Sequence, residues 1–160
     1  MHYLKPLLLI IIIPLLAISC NGPVANNNTS TIKVGVMLVL SGDFVKYGES
    51  AKNAIEIAAQ SFRDTHPNST VELIYEDTKA DPKTAVSAYQ KLVNVDHVQA
   101  IIGPMLQIET AAITPLIQKD NMPVFSIAPV PIENRSTTSN PLVVWPDPTA
   151  EAGQMAEFIR

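Results

Sequence analysis

An α/β fold built on a doubly wound parallel sheet is the architecture that this 160-residue sequence predicts. Three observations carry that reading. Short runs rich in Ile and Val, nearly free of charge, stop at turn residues, as strands buried on both faces do. Between them lie longer segments whose apolar residues recur every three or four positions. The connections are short and repeatedly hold Asp-Pro, Gly-Pro or Ser-Gly, the residues of helix starts and turns. Strands alternating with helices over short links pack as a parallel sheet with helices on both faces, wound by right-handed crossovers.

The first strand is the stretch the rest is organised around. IKVGVMLVL, from Ile32, carries no charge after Lys33 and ends at Ser41, Gly42 and Asp43. In open α/β sheets the ligand crevice lies beyond the carboxyl ends of the strands, so residues 41–48 are expected to form a loop at the site. Residues 49–64 read as a helix, with Ala51, Ala54, Ile55, Ala58, Ala59 and Phe62 on one face. His66, Pro67, Asn68 and Ser69 break it, and residues 70–76 alternate as a second strand. Asp81 and Pro82 open the next helix as cap and first residue, with Val86, Tyr89, Leu92 and Val93 as its buried stripe. Residues 98–102 form a third strand, cut off by Gly103 and Pro104. A helix with Ile108, Ala111, Ala112 and Leu116 follows, expected to kink or unwind near Pro115. Residues 122–127 are a fourth strand, Pro129 and Pro131 make an extended connection, and residues 142–145 form a short strand. Asp147 and Pro148 then cap a last helix that reaches Arg160.

The N-terminus has a different character. Residues 1–19 pair Lys5 with an apolar run of about 12 residues, too short to span a bilayer and interrupted by Pro14, which reads as a signal peptide. Leu16, Ala17, Ile18, Ser19 and Cys20 resemble a bacterial lipobox, in which the cysteine is lipidated and becomes the new N-terminus; Ala17 stands where Leu is usual. The alternative is a conventional signal peptide followed by an incidental thiol. Cys20 is the single cysteine, so no intramolecular disulfide can form. Residues 20–31, rich in Asn, Ser and Thr, read as a flexible tether. Without residues 1–19 the chain holds ten basic against fifteen acidic side chains, a formal −5, and no Lys/Arg cluster, which argues against nucleic-acid binding.

Catalytic signatures are missing. The sequence contains no GxGxxG, GxxxxGK or GxSxG and no Cys/His metal cluster. His66 and His97 fall in a loop and a turn, and His2 in the signal peptide. Glu76, Asp77 and Asp81 form an acidic group, but helix capping accounts for Asp81. Glu109 either faces a ligand or favours its helix N-terminus. The chain is expected not to be an enzyme, with no catalytic residue, cofactor or metal.

Five segments in consistent order carry a resemblance. IKVGVMLVLSG with KYGES, then YEDTKADPKTAVSAYQKLV, AIIGP, MPVFSIAP and VVWPDPTAEAGQMAEFI are together similar to periplasmic solute-binding proteins of the leucine/isoleucine/valine type. That resemblance implies two lobes closing on a small solute, with residues 32–160 as an incomplete N-terminal lobe and no second lobe. It implies ligand contacts at Tyr47 after the first strand, at Met105, Leu106 and Gln107 after Gly103-Pro104, and at Ser126, Ala128 and Val130 after the fourth strand. Tyr47 could equally be a loop aromatic packed over the sheet edge. Gln107 stands where the family has Ser, and Val130 (or Ile132 in a shifted alignment) where it has Thr, so the head-group contacts of leucine are replaced. The family's first-lobe disulfide is absent, its positions falling near Ala80 and on Leu106.

The function expected from this is an exported, lipid-anchored binding subunit of an ABC importer. It would take a small polar, amino-acid-like solute, with an ABC permease as partner and the membrane reached through Cys20. The rivals are a lipoprotein of the same fold that regulates a cell-envelope enzyme by protein contacts, and a fragment without function.

Overall fold

A computed structural model of the chain describes residues 30–128, 141–144 and 148–159, without the side chains of 148–151. The signal peptide, tether residues 20–29 with Cys20, Pro129, Val130, Pro131, Ile132 and the Asp147 cap lie outside the described residues, whereas Ser30 and Thr31, expected in the tether, begin the first strand by pairing with Ser69 and Thr70.

Five strands form one sheet: β1 Ser30–Leu38, β2 Ser69–Asp77, β3 Ala100–Ile102, β4 Val124–Ser126 and β5 Leu142–Val143. Their order is β2-β1-β3-β4-β5, and every neighbouring pair is parallel. The helices are α1 Val45–Thr65, α2 Pro82–Asn94, α3 Gln107–Asp120 and α4 Pro148–Phe158. The predicted fold class is therefore observed, with β3, β4 and β5 shorter than expected. No described helix is long and apolar enough to cross a membrane.

The weight of the core lies on one face of the sheet. Met37, Ile101 and Val124 point there and meet Ala85, Ala88, Tyr89 and Leu92 of α2 and Ile113 and Ile117 of α3. Full burial of one such aliphatic side chain contributes about 1.5–3 kcal/mol, so this cluster dominates the favourable side of folding. Gly35 belongs to the same face, where a β-carbon would stand 2.9 Å from a Leu92 methyl. The predicted α2 stripe is observed, with Val86 and Val93 half-buried at its border.

Helix α1 takes the opposite face. Tyr75, which pairs in register with Val36, donates its hydroxyl to Glu56 at 2.8 Å and carries Lys52 over its ring. The predicted apolar face of α1 is only partly used: Ala59 is buried, Ala51, Ile55 and Phe62 are half-buried, and Ala54 and Ala58 are exposed. Over β3, β4 and β5 that side of the sheet leaves Val34, Ala100, Ile102, Phe125, Ile127 and Val144 around an apolar hollow.

Two helices differ from expectation. Helix α1 begins at Val45, four residues before the predicted start. Residues 45–48 include a β-branched residue and a glycine, both poor helix formers. Gly48 is nevertheless required, because a β-carbon there would stand 1.8 Å from the Val39 carbonyl oxygen. Helix α3 runs through Pro115 instead of unwinding. Proline removes the bond to the Ala111 carbonyl, and Ala111 is exposed, so water can satisfy that oxygen. Asn121, in the left-handed region at φ 50°, ends the helix. Helix α2 starts as read, with Asp81 accepting from the Thr84 N–H at 2.7 Å and Pro82 in the first turn.

Candidate functional site

The strand order reverses between β1 and β3, since β1 leads by α1 to one side and β3 by α3 to the other. Loops that diverge at such a switch point leave a crevice beyond the strand ends. A cleft of about 280 Å³ lies there, lined by Val39 past β1, Phe44 and Tyr47 at the start of α1, Met105 and Leu106 past β3, and Ile127 past β4.

Each wall is fixed by its own polar contacts. Past β1, the Asp77 carboxylate accepts from the Leu40 N–H at 2.9 Å, the Ser41 hydroxyl at 2.6 Å and the Lys79 N–H at 3.0 Å. Partial burial would raise the Asp77 pKa, but these bonds outweigh it and hold the group below the usual aspartate range. Past β3, Gly103 adopts φ +99° with its α-carbon against the Met37 carbonyl, and the Gly103–Pro104 peptide is cis. Glu109 reaches back from α3 to accept the Leu106 N–H at 3.2 Å. This is half of a capping box, since Leu106 has no side-chain acceptor to return the bond. Past β4, the Ser126 hydroxyl bonds Thr110 at 3.1 Å and both the carbonyl and the N–H of Ala128, at 3.1 and 3.2 Å.

These contacts sort the expected ligand residues. Tyr47, Met105 and Leu106 are brought together as cleft lining. Tyr47 sits in the first turn of α1 rather than in a loop, 67% exposed, its ring centroid 6.4 Å from that of Phe44. Gln107 is exposed at the first position of α3 and does not line the cleft. Ser126 and Ala128 are fully buried, the Ser126 hydroxyl engaged by Thr110 and by the Ala128 backbone. Val130 lies outside the described residues. Phe44, Val39 and Ile127 were not anticipated. The three-residue spacing of Phe44 and Tyr47 was the available signal, hidden by the late helix start.

The described wall is thus apolar, with the Tyr47 hydroxyl as its polar side-chain group. Its nearby hydroxyls, Ser41 and Ser126, are both engaged within the fold. A wall of this kind suits the apolar body of a ligand. Among the described residues no group of three His, Cys, Asp or Glu side chains could hold a metal ion.

A family model described as periplasmic binding protein matches residues 31–160. A Leu/Ile/Val-binding protein homolog of Brucella abortus is 31% identical over 94 residues, which cover 58% of this chain and 24% of that protein. The structure of a solute-binding protein of an ABC transporter from Rhodopseudomonas palustris, in complex with 3,4-dihydroxybenzoic acid, is 28% identical with a TM-score of 0.57, covering 61% of this chain and 27% of that one. A branched-chain amino acid transporter substrate-binding protein from Streptococcus pneumoniae, in complex with isoleucine, shares the fold at a TM-score of 0.61 and 24% identity, covering 66% of this chain and 31% of its own. The match spans about a quarter of the length of the Leu/Ile/Val-binding relatives. With the sheet order, the switch-point cleft and the match over residues 31–160 in agreement, the chain belongs to the periplasmic binding protein family.

Proposed function

We propose that the chain is the first lobe of an extracytoplasmic solute-binding protein that serves an ABC importer, and that it holds the apolar body of a small solute against Tyr47, Met105 and Leu106. The observation that carries this is the convergence of those three residues at the switch point between β1 and β3. Solutes in two-lobed binders are held by hinge closure, and the closed form is what a permease reads. The relatives bound to isoleucine and to 3,4-dihydroxybenzoic acid support a carboxylate with an apolar or aromatic body. The polar group of the solute would then be held from the opposite lobe. Anchoring through a lipidated Cys20 places the protein on the outer side of a bacterial membrane.

The test is a thermal-shift and calorimetric screen of the full-length protein against branched-chain amino acids and hydroxybenzoates. A saturable rise in Tm with one class supports the reading; no response across both classes overturns it. Intact mass of the membrane-extracted protein tests the anchor, which a Cys20 without diacylglyceryl would remove. The engagement of Ser41 and Ser126 within the lobe favours a second reading, a lipoprotein of the same fold acting through protein contacts.

A further inference from the structure

Beneath the cleft wall lies a carboxyl group that solute binding does not use. Glu109 is fully buried, although glutamate is among the residues least often buried without a partner. Its Oε2 accepts the Leu106 N–H at 3.2 Å, while Oε1 has no hydrogen-bond partner among the described residues. The Thr78 side chain and the Met105 backbone lie beside the carboxyl group. Thr78, itself fully buried, donates its hydroxyl to the Leu38 carbonyl at 3.2 Å. The group therefore stands where the ends of β1 and β2 and the start of α3 meet, directly behind two residues of the cleft.

We propose that Glu109 is a positioning residue of the cleft, its carboxyl group locking Met105 and Leu106 against the ends of β1 and β2. The proposal rests on the solute reading only for what that wall is used for. A buried carboxylate with one oxygen unpaired is costly, and the charged group acting on it, Asp77 at the end of β2, has the same sign. Lys79, on the same loop, offsets Asp77. Burial first, and Asp77 after it, push the Glu109 pKa up against the hydrogen bonds that favour the anion. As the neutral acid, Glu109 keeps Oε2 as acceptor for Leu106 and turns Oε1–H toward the Thr78 oxygen, which passes its own hydrogen to Leu38. One proton then completes a continuous link from α3 through the β2–α2 loop to β1. Glutamine reproduces both halves of that link, an acceptor and a donor; leucine fills the space and makes neither.

The experiment follows the Leu106 amide by NMR in the full-length protein, ¹⁵N-labelled at leucine, from about pH 4 to about pH 9. The wild type should show an inflection above the ordinary glutamate range. Glu109→Gln should abolish the inflection and keep amide exchange within about threefold of wild type. Glu109→Leu should accelerate Leu106 exchange by about tenfold or more while leaving the Leu92 amide, in the core helix α2, unchanged. Equal acceleration at Leu92 and Leu106 would show a role in general stability and overturn the proposal. So would unchanged Leu106 exchange in Glu109→Leu, or a wild-type profile without inflection. If Glu109→Leu does not fold, the wild-type and glutamine profiles decide alone. Titration of the same samples with 4-hydroxybenzoate and with isoleucine separates the two readings: failure of both to bind counts against solute capture, whereas the amide measurements need no ligand.

Discussion

The Ser41 hydroxyl donates to the Asp77 carboxylate at 2.6 Å, joining the end of β1 to the end of β2. With the Leu40 and Lys79 amides on the same carboxylate, this contact sets where the chain turns into α1 and hence where Phe44 and Tyr47 stand. Asp77→Ala should lower stability by about 1–2 kcal/mol in urea unfolding, the usual effect of removing a charged acceptor from several donors. The pKa of Asp77 is lowered by folding, so its stabilisation is present above the unfolded aspartate value and is lost as pH falls through the lower, folded value. The Asp77→Ala protein should therefore lose less stability than the wild type between about pH 4 and about pH 2.

Glu109 has the opposite sign. Its pKa is raised by folding, so its contribution is intact below the unfolded glutamate value and declines as pH rises through the folded one. Urea midpoints measured upward from pH 5 should fall for the wild type and stay level for Glu109→Gln. A wild-type curve parallel to the glutamine variant would show that Glu109 titrates normally.

Two glycines are fixed by close approach. Gly48→Ala would press a methyl group into the Val39 carbonyl, and Gly103→Ala would press one into the Met37 carbonyl from a backbone at φ +99°. Each should cost about 2–4 kcal/mol, because backbone rather than a mobile side chain must give way. Gly42→Ala is the comparison: it has a positive φ but open space around it, and should cost about 1 kcal/mol.

Tyr47 separates binding from folding. At 67% exposure its loss should change stability by no more than about 0.5 kcal/mol. If it forms the aromatic wall, Tyr47→Ala should weaken a bound solute about tenfold in calorimetry, and Tyr47→Phe much less. Equal affinity in all three proteins would remove Tyr47 from the site.

The class of fold and the order of its elements are legible along the chain. Uncharged Ile/Val runs bounded by turns favour strands, although among the described residues β3, β4 and β5 are covered on one face only, and the Asp81-Pro82 start of α2 is a local signal that needs no partner to be read. Both features depend on neighbours along the chain, which the sequence displays. The cleft was legible in part: Tyr47, Met105 and Leu106 were expected there from a family resemblance and are lining residues.

Other features depend on contacts across the fold. Val-Lys-Tyr-Gly is a poor helix start by propensity, yet α1 begins there because Gly48 must lie against Val39, a contact with a different element. Ser126 reads as a free hydroxyl until Thr110 and the Ala128 backbone are brought against it. Glu109, which the sequence left open between ligand contact and helix-end charge, is buried behind Leu106 at the meeting of strand ends. Each of these outcomes is set by which atoms share a desolvated space, and such sharing follows from the packed sheet and helices rather than from any local pattern.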